Sequence, residues 1–388
     1  MALVSVVVPG LFVSNVYTRS VTTGGLRFNP HIGALPAYNA GMNIEVARAA
    51  TGLTDFARLA SNENPYGCSP CVLAALSSGA LEPWRYNDPA CAELRDRLAE
   101  HLNVPAEQIV AGNGSEELIA AATRAFVAEG DEFVTVLPSF GRHEIEALAI
   151  GARLTKVEMS DDLDFPLDAL VEALRRKPAV LMLSSPWNPV GAALDTEGLQ
   201  RLIDATEPTT LFVFDEAYIE FADAHIPNGI EMLRGSGVNH VVLRTFSKAY
   251  GLAGLRVGYG VCSDGDVARM ITNAKTPFDV NAAAQLAALA ALGDQQWMTA
   301  TTRRIVEQRN RVGDCLATMG LRASASQGNF VFFDCAGDSG EFSRRLLELG
   351  VIVKDWREPG FTNYIRATIG DEADNDRLLS AIARLLAK

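Results

Sequence analysis

The chain has 388 residues, 48% apolar and 21% charged, with a formal net charge of −13. At about 150 residues per domain that length implies two or three domains. The acidic balance excludes a nucleic-acid partner and an anionic membrane surface, which need clustered Lys and Arg, and six scattered cysteines make no disulfide framework.

The first apolar stretch, "ALVSVVVPGLFV", is interrupted by Pro9 and Gly10, and no basic residue precedes it. It reads as part of an arm, residues 1–50, and not as a signal peptide or a membrane span. "GCSPC" carries Cys68 and Cys71 without the second pair that a zinc site requires. From residue 108 strands and helices alternate. "QIVAGNG" is a buried strand, and "SEELIAAATRAFVAEG" a helix capped by Ser115 and ended at Gly130. "EFVTVLP", "RLTKVEM", "AVLMLSSP" and "TLFVFDEAY" are strands separated by the helical segments "RHEIEALAIG", "LDALVEALRRK" and "TEGLQRLIDAT". "HVVLRTFS" and "RVGYGVC" close the series.

These strands are continuous apolar runs, so both of their faces are buried. The fold class is α/β, with a mostly parallel, doubly wound sheet in a large domain, residues 51–275. After residue 276 comes long helical sequence. "NFVFFDC", "SGEFSRRLLELG", "VIVKDW", "YIRATIG" and "EADNDRLLSAIARLLAK" then form a smaller α/β domain, residues 276–388. Cysteine usage and the lack of a long apolar run indicate a soluble, cytoplasmic protein.

Loops after strand ends carry the candidate chemistry, where an open sheet of this class binds ligands. Asp215 and Glu216 follow an apolar strand directly, as a ligand-facing carboxylate does; a strand-end cap or metal ligand would look the same. In "SSPWNPVG" the prolines fix a turn that presents Asn188, which either bonds a ligand oxygen or builds the turn. "GNGSEE" is a glycine turn opening a helix, where free N–H groups and the helix dipole favour an anion. It matches neither GxGxxG nor a Walker motif.

"TFSKAYGLAGLRVGYG" decides among these readings. Lys248 stands among small and apolar residues, and Arg256 follows eight positions on with no acid in the stretch. Burial lowers a lysine's pKa, and a neutral amine attacks carbonyls. An unpaired arginine needs an anion. Pyridoxal 5′-phosphate carries both an aldehyde and a phosphate. Asp215 stands ready for its ring nitrogen, Asn188 and Tyr218 for its ring oxygen, and residues 114–116 for its phosphate.

With "LPAYNAG", "NENPYG", "RYNDP", "GNGSEEL", "NPVG", "FDEAYIEF", "TFSKAYGLAGLRVGY" and "YIRATIG", the chain resembles the fold-type I, class I/II pyridoxal-phosphate aminotransferases from about Pro36 onward. It is most similar to the histidinol-phosphate aminotransferase branch. The resemblance implies that Lys248 forms the aldimine and shuttles the proton, that Asp215 keeps the ring nitrogen protonated, and that Asn188 and Tyr218 bond the ring oxygen. Phe140 would stack on the cofactor. Gly114, Ser115, Glu116 (through its backbone), Thr245, Ser247 and Arg256 would hold the phosphate. Tyr86 would reach that phosphate from the second subunit of a homodimer.

Arg366 is expected at the substrate's anionic group, whether α-carboxylate or phosphate, with Tyr38 crossing the dimer to the same end and Asn188 close by. The branch carries a second arginine where this chain has Lys354, in "VIVKDW", and Trp356 and Trp187 are further departures. The expected reaction moves an amino group from L-histidinol phosphate to 2-oxoglutarate in histidine biosynthesis. An aromatic amino-acid aminotransferase for phenylalanine or tyrosine is the alternative that the two tryptophans favour. A threonine-phosphate decarboxylase is a third.

Overall fold

The computed structural model describes residues 28–35 and 42–387. Its strands are β1 (Ala57–Leu59), β2 (Ile109–Gly112), β3 (Glu132–Leu137), β4 (Arg153–Glu158), β5 (Val180–Ser184), β6 (Leu211–Asp215), β7 (His240–Thr245), β8 (Gly258–Cys262), β9 (Phe330–Asp334), β10 (Val351–Asp355) and β11 (Tyr364–Thr368). Seven of them form one sheet in the order β2-β8-β7-β6-β5-β3-β4. Within it β8 runs antiparallel to both of its neighbours, and the other pairings are parallel.

The apolar runs are explained by a core on each face. Successive side chains of a strand point to opposite faces. Val180, Met182, Leu211, Val213, Val241 and Leu243 enter one cluster, with Ile119 and Ile271 from the helices on that side. Leu181, Leu183, Phe212, Phe214 and Val242 enter the other, with Leu170, Leu199 and Leu202. Burying one such side chain stabilises the fold by roughly 1.5–3 kcal/mol, so a polar residue at either parity would be costly. The sheet centre is therefore rigid, and its strand ends are fixed platforms.

The remaining strands form a second sheet, β1-β10-β11-β9. Here β1 pairs in parallel with β10, Ala57 opposite Val351. A boundary at residue 51 assigns residues 57–59 to the large unit, but these residues complete the small sheet instead. The helical stretch after residue 276 divides at Gly293–Asp294 into Ala282–Leu292 and Gln295–Thr318, with Asp294 capping the second helix through Trp297 N. Among the described residues no helix is long and apolar enough to cross a membrane.

The helix after β2 departs from expectation at both ends. It spans Ser115–Phe126, its N-cap is Gly114 at φ +79°, and no side chain caps it. Ser115 is therefore its first residue. The chain leaves the helix at Val127, in extended backbone, and turns at Gly130 into β3.

Candidate active site

Parallel strands deliver all their C-terminal ends to one edge of a sheet. The loops after β2, β3, β5, β6 and β7 therefore meet, bringing Ser115, Phe140, Asn188, Tyr218 and Lys248 to one cleft. Because β8 is antiparallel, its N-terminal end lies at the same edge, with Gly258 registered on both Gly112 and Thr245. That reversal brings in Arg256. The small sheet supplies Lys354 from β10 and Arg366 from β11, which are register partners. The cleft has a volume of about 260 Å³.

Lys248 Nζ donates to the Ser61 carbonyl at 3.0 Å and lies 5.9 Å from the centre of the Tyr218 ring. Burial, helped by the Arg366 charge, pushes its pKa down to about 8. A minority, about a tenth at pH 7, is thus neutral and nucleophilic, far more than for an ordinary lysine. Asp215, the last residue of β6, is buried; its Oδ1 accepts from Ala217 N at 3.1 Å and its Oδ2 lies 3.2 Å from His143 Nε2. The adjacent Glu216 points the other way. It takes two hydrogen bonds from Arg244, at 2.7 and 2.9 Å, and one from Gly229 N. It is a structural ion-pair member outside the cleft.

The Tyr218 hydroxyl accepts from Asn188 Nδ2 at 3.3 Å and Asn62 Nδ2 at 3.1 Å. Asn188 Oδ1 accepts from Arg366 Nη1 at 2.6 Å, and Arg366 Nη2 donates to the Ala60 carbonyl at 2.7 Å. One chain of bonds thus links the β5 turn, the β6 turn and β11. Lys354 is half-buried, and burial together with Arg366 pushes its pKa down to about 8.

At the other end of the cleft Thr245 Oγ1 donates to Ser247 Oγ at 3.0 Å, and Arg256 Nη1 lies 3.5 Å from the same oxygen. Gly114, at φ +79°, holds a conformation that favours glycine, and a Cβ there would also push on Arg256 Nη2 from 2.6 Å. Gly114 supports this end from behind and does not line the cleft. Arg256 does meet an acid: Glu116 Oε2 is 3.6 Å from Nη2, and Arg142 Nε holds the same carboxylate at 2.9 Å. The acid comes from another strand's loop, so its proximity was invisible along the 245–260 stretch.

Tyr86 is 86% exposed, with its ring 4.7 Å from that of Phe278. Tyr38 lies outside the described residues. Trp187 does not touch the cleft: it is fully buried, donates to the Pro138 carbonyl at 2.9 Å and packs on Phe165 at 4.8 Å. It fills the core, so it gives no support to an aromatic substrate. Trp356 does line the cleft.

Asn62 and His143 were missed as site residues. Asn62 is buried at φ +54°, exchanges hydrogen bonds with Thr368 at 2.9 and 3.0 Å, and so ties the small sheet to Tyr218. The "NENPYG" segment contains it, but nothing local says where its amide points. His143 follows Phe140 by three residues, at the start of the helix Arg142–Ile150. That spacing was the available signal.

The class I and II aminotransferase family matches residues 54–382. The chain belongs to that family. It is 42% identical to histidinol-phosphate aminotransferase 3 of Rhizobium meliloti (strain 1021), across 92% of this chain and 96% of the relative. It is 37% identical to the histidinol-phosphate aminotransferase of Bacillus subtilis (strain 168), across 93% and 100%. The crystal structure of the Sinorhizobium meliloti histidinol-phosphate aminotransferase with pyridoxal 5′-phosphate superposes with a TM-score of 0.85, at 31% identity, covering 95% and 99% of the two chains. Thermus thermophilus aspartate aminotransferase with maleate, at 22% identity and a TM-score of 0.78 over 93% and 99%, shares the fold.

This class I and II aminotransferase uses pyridoxal 5′-phosphate. The residues present fit that cofactor. Lys248 offers a partly neutral amine, and Asp215 offers a buried carboxylate at a strand end. The uncapped helix start at Ser115 and Glu116, the hydroxyls of Thr245 and Ser247, and Arg256 offer an anion cradle.

Proposed function

We propose that this aminotransferase takes L-histidinol phosphate as amino donor and 2-oxoglutarate as acceptor, in a cytoplasmic histidine-biosynthetic step. The single observation that carries this reading is the pairing of Lys354 with Arg366 across β10 and β11 at the end of the cleft away from Arg256. Two cations there suit a dianionic phosphate as well as a carboxylate. The curated relatives support it by name, and the six free thiols support a reducing compartment.

The bound cofactor supplies an electron sink that makes the donor's Cα–H acidic. The chain's residues do the rest. Lys248 would hold the cofactor's aldehyde carbon and, once displaced, move the proton between the donor's α-carbon and the cofactor. Asp215, held by His143 and Ala217 N, would keep the ring nitrogen protonated. Tyr218 and Asn188 would bond the ring oxygen, Phe140 would cover the ring, and Ser115, Glu116 N, Thr245, Ser247 and Arg256 would bind the phosphate. Arg366 and Lys354 would take the donor's anionic group. We infer that the active unit is a homodimer in which Tyr86, and Tyr38, reach the partner's site; the exposure of Tyr86 supports this.

The decisive test is the half-reaction without a keto acid. The cofactor-loaded protein receives histidinol phosphate in one sample and L-phenylalanine in another, and the visible cofactor band is followed. Rapid bleaching by histidinol phosphate alone is expected. Bleaching by phenylalanine with no response to histidinol phosphate would overturn the assignment.

A further inference from the structure

Beyond these residues, one carboxylate joins the two units at the substrate end of the cleft. Glu358 stands in the loop after β10. Its Oε2 accepts from Trp356 Nε1 at 2.7 Å and from the Ser139 backbone N–H at 3.2 Å. Its Oε1 lies 3.5 Å from Lys156 Nζ, which pairs with Glu144 at 2.5 Å. Ser139 immediately precedes Phe140, and Lys156 is on β4. One small-unit side chain therefore grips the large unit's β3 turn and β4, while also fixing the indole.

Trp356 is held on several sides. Its backbone N–H donates to the Tyr364 carbonyl at 3.0 Å, and its carbonyl accepts from Ser339 Oγ at 3.0 Å. Its ring meets Phe332 edge-on at 6.1 Å. With Nε1 anchored, the indole cannot turn away from the cleft it lines alongside Lys354 and Arg366. A fixed aromatic plane beside two cations suits a donor with one anionic arm and one planar, weakly polar ring.

We propose that Glu358 is a positioning residue for donor selection: its carboxylate fixes the indole of Trp356 as the surface that receives the planar ring of the amino donor. This rests on the reading above that the donor carries a ring. A carboxylate that merely held the fold together would not discriminate between donors; one that sets the indole does.

The test uses the cofactor-loaded enzyme and its Glu358→Ala, Glu358→Gln and Trp356→Leu variants, together with the Glu358→Ala/Trp356→Leu double variant. Histidinol phosphate and the ring-free donor L-glutamate are compared, and the affinity for the cofactor is titrated separately. Glu358→Ala and Trp356→Leu should each lower kcat/KM for histidinol phosphate about tenfold, mainly through KM. The loss with L-glutamate should be much smaller. The double variant should be no worse than either single one, because both remove the same placed ring. Glu358→Gln, which keeps an acceptor for the indole, should recover most of the loss.

Losses that multiply in the double variant, an equal loss with L-glutamate, or weaker cofactor binding in Glu358→Ala would overturn the proposal. A wild type that rejects histidinol phosphate but accepts L-phenylalanine refutes the donor assignment alone, and the same variants with phenylalanine then decide this one. A wild type that accepts neither overturns both.

Discussion

Lys248 and Lys354 are both buried enough to have their pKa pushed down to about 8, yet the roles proposed for them need opposite protonation states. The role proposed for Lys248 needs the neutral amine, so Lys248→Ala should abolish both the visible cofactor band and turnover. An absorption spectrum and a single assay check this, and retained turnover would remove the central role given to it. The role proposed for Lys354 needs the cation. Its depressed pKa means that the charge is present below about pH 8 and is lost as pH rises through that value. The KM for histidinol phosphate should therefore climb by about tenfold between pH 7 and pH 9. Lys354→Arg, which stays charged, should flatten that rise; an identical profile in the variant would mean that Lys354 does not meet the phosphate. Asp215 and Glu216 make the same point without titration. They are neighbours in sequence and opposite in role, because strand alternation turns one to the cleft and the other to Arg244.

At the scale of elements, the turns between strand ends and helices carry the site, and their backbone is under tighter control than their side chains. The 248–256 turn passes so close to the 67–68 backbone that a Cβ on Gly251, at φ +71°, would strike the Gly67 carbonyl. Gly251→Ala should cost about 1–3 kcal/mol and displace Lys248. A lowered thermal midpoint together with reduced cofactor content would show it, whereas a wild-type midpoint would mean that the turn can relax. The β2 turn shows where local rules yield to the site. Serine is a favoured N-cap, so Ser115 reads as one. Gly114 takes the position because its backbone, at φ +79° and ψ 166°, is one that side-chain-bearing residues rarely adopt, which leaves the first N–H groups of the helix without a side-chain cap. The strands were legible because burial on both faces imposes an unbroken apolar run. Helix ends were less so, since they answer to neighbours from other parts of the chain.

For the whole molecule, the cleft lies between two sheets whose strands interleave along the chain. β1 and β11, some 300 residues apart in sequence, flank β10 in one sheet, and Asn62 is bound to Thr368 across that separation. The proposed dimer has a direct test. Lys248→Ala homodimers should be inactive and Tyr86→Ala homodimers weak. Mixing them under subunit exchange should restore activity, because one site per hybrid then has its own Lys248 and a partner's Tyr86. No recovery in verified hybrids would confine Tyr86 to its own subunit.

By itself the sequence determined the strand–turn–helix rhythm and the residue types at the strand ends. It thereby placed Lys248, Asp215, Asn188 and Arg256 in turns at or near strand ends, since these positions follow from local pattern. Only the tertiary structure decided which of those groups face one another. It seated Trp187 in the core and Trp356 in the cleft, set Glu116 beside Arg256, and turned the side chains of Asn62, His143 and Glu358 to partners that no local pattern names. The physical reason is that a local pattern specifies periodicity and turn geometry. The direction a side chain points, and what it meets there, depend on strand pairings and packing between segments tens to hundreds of residues apart.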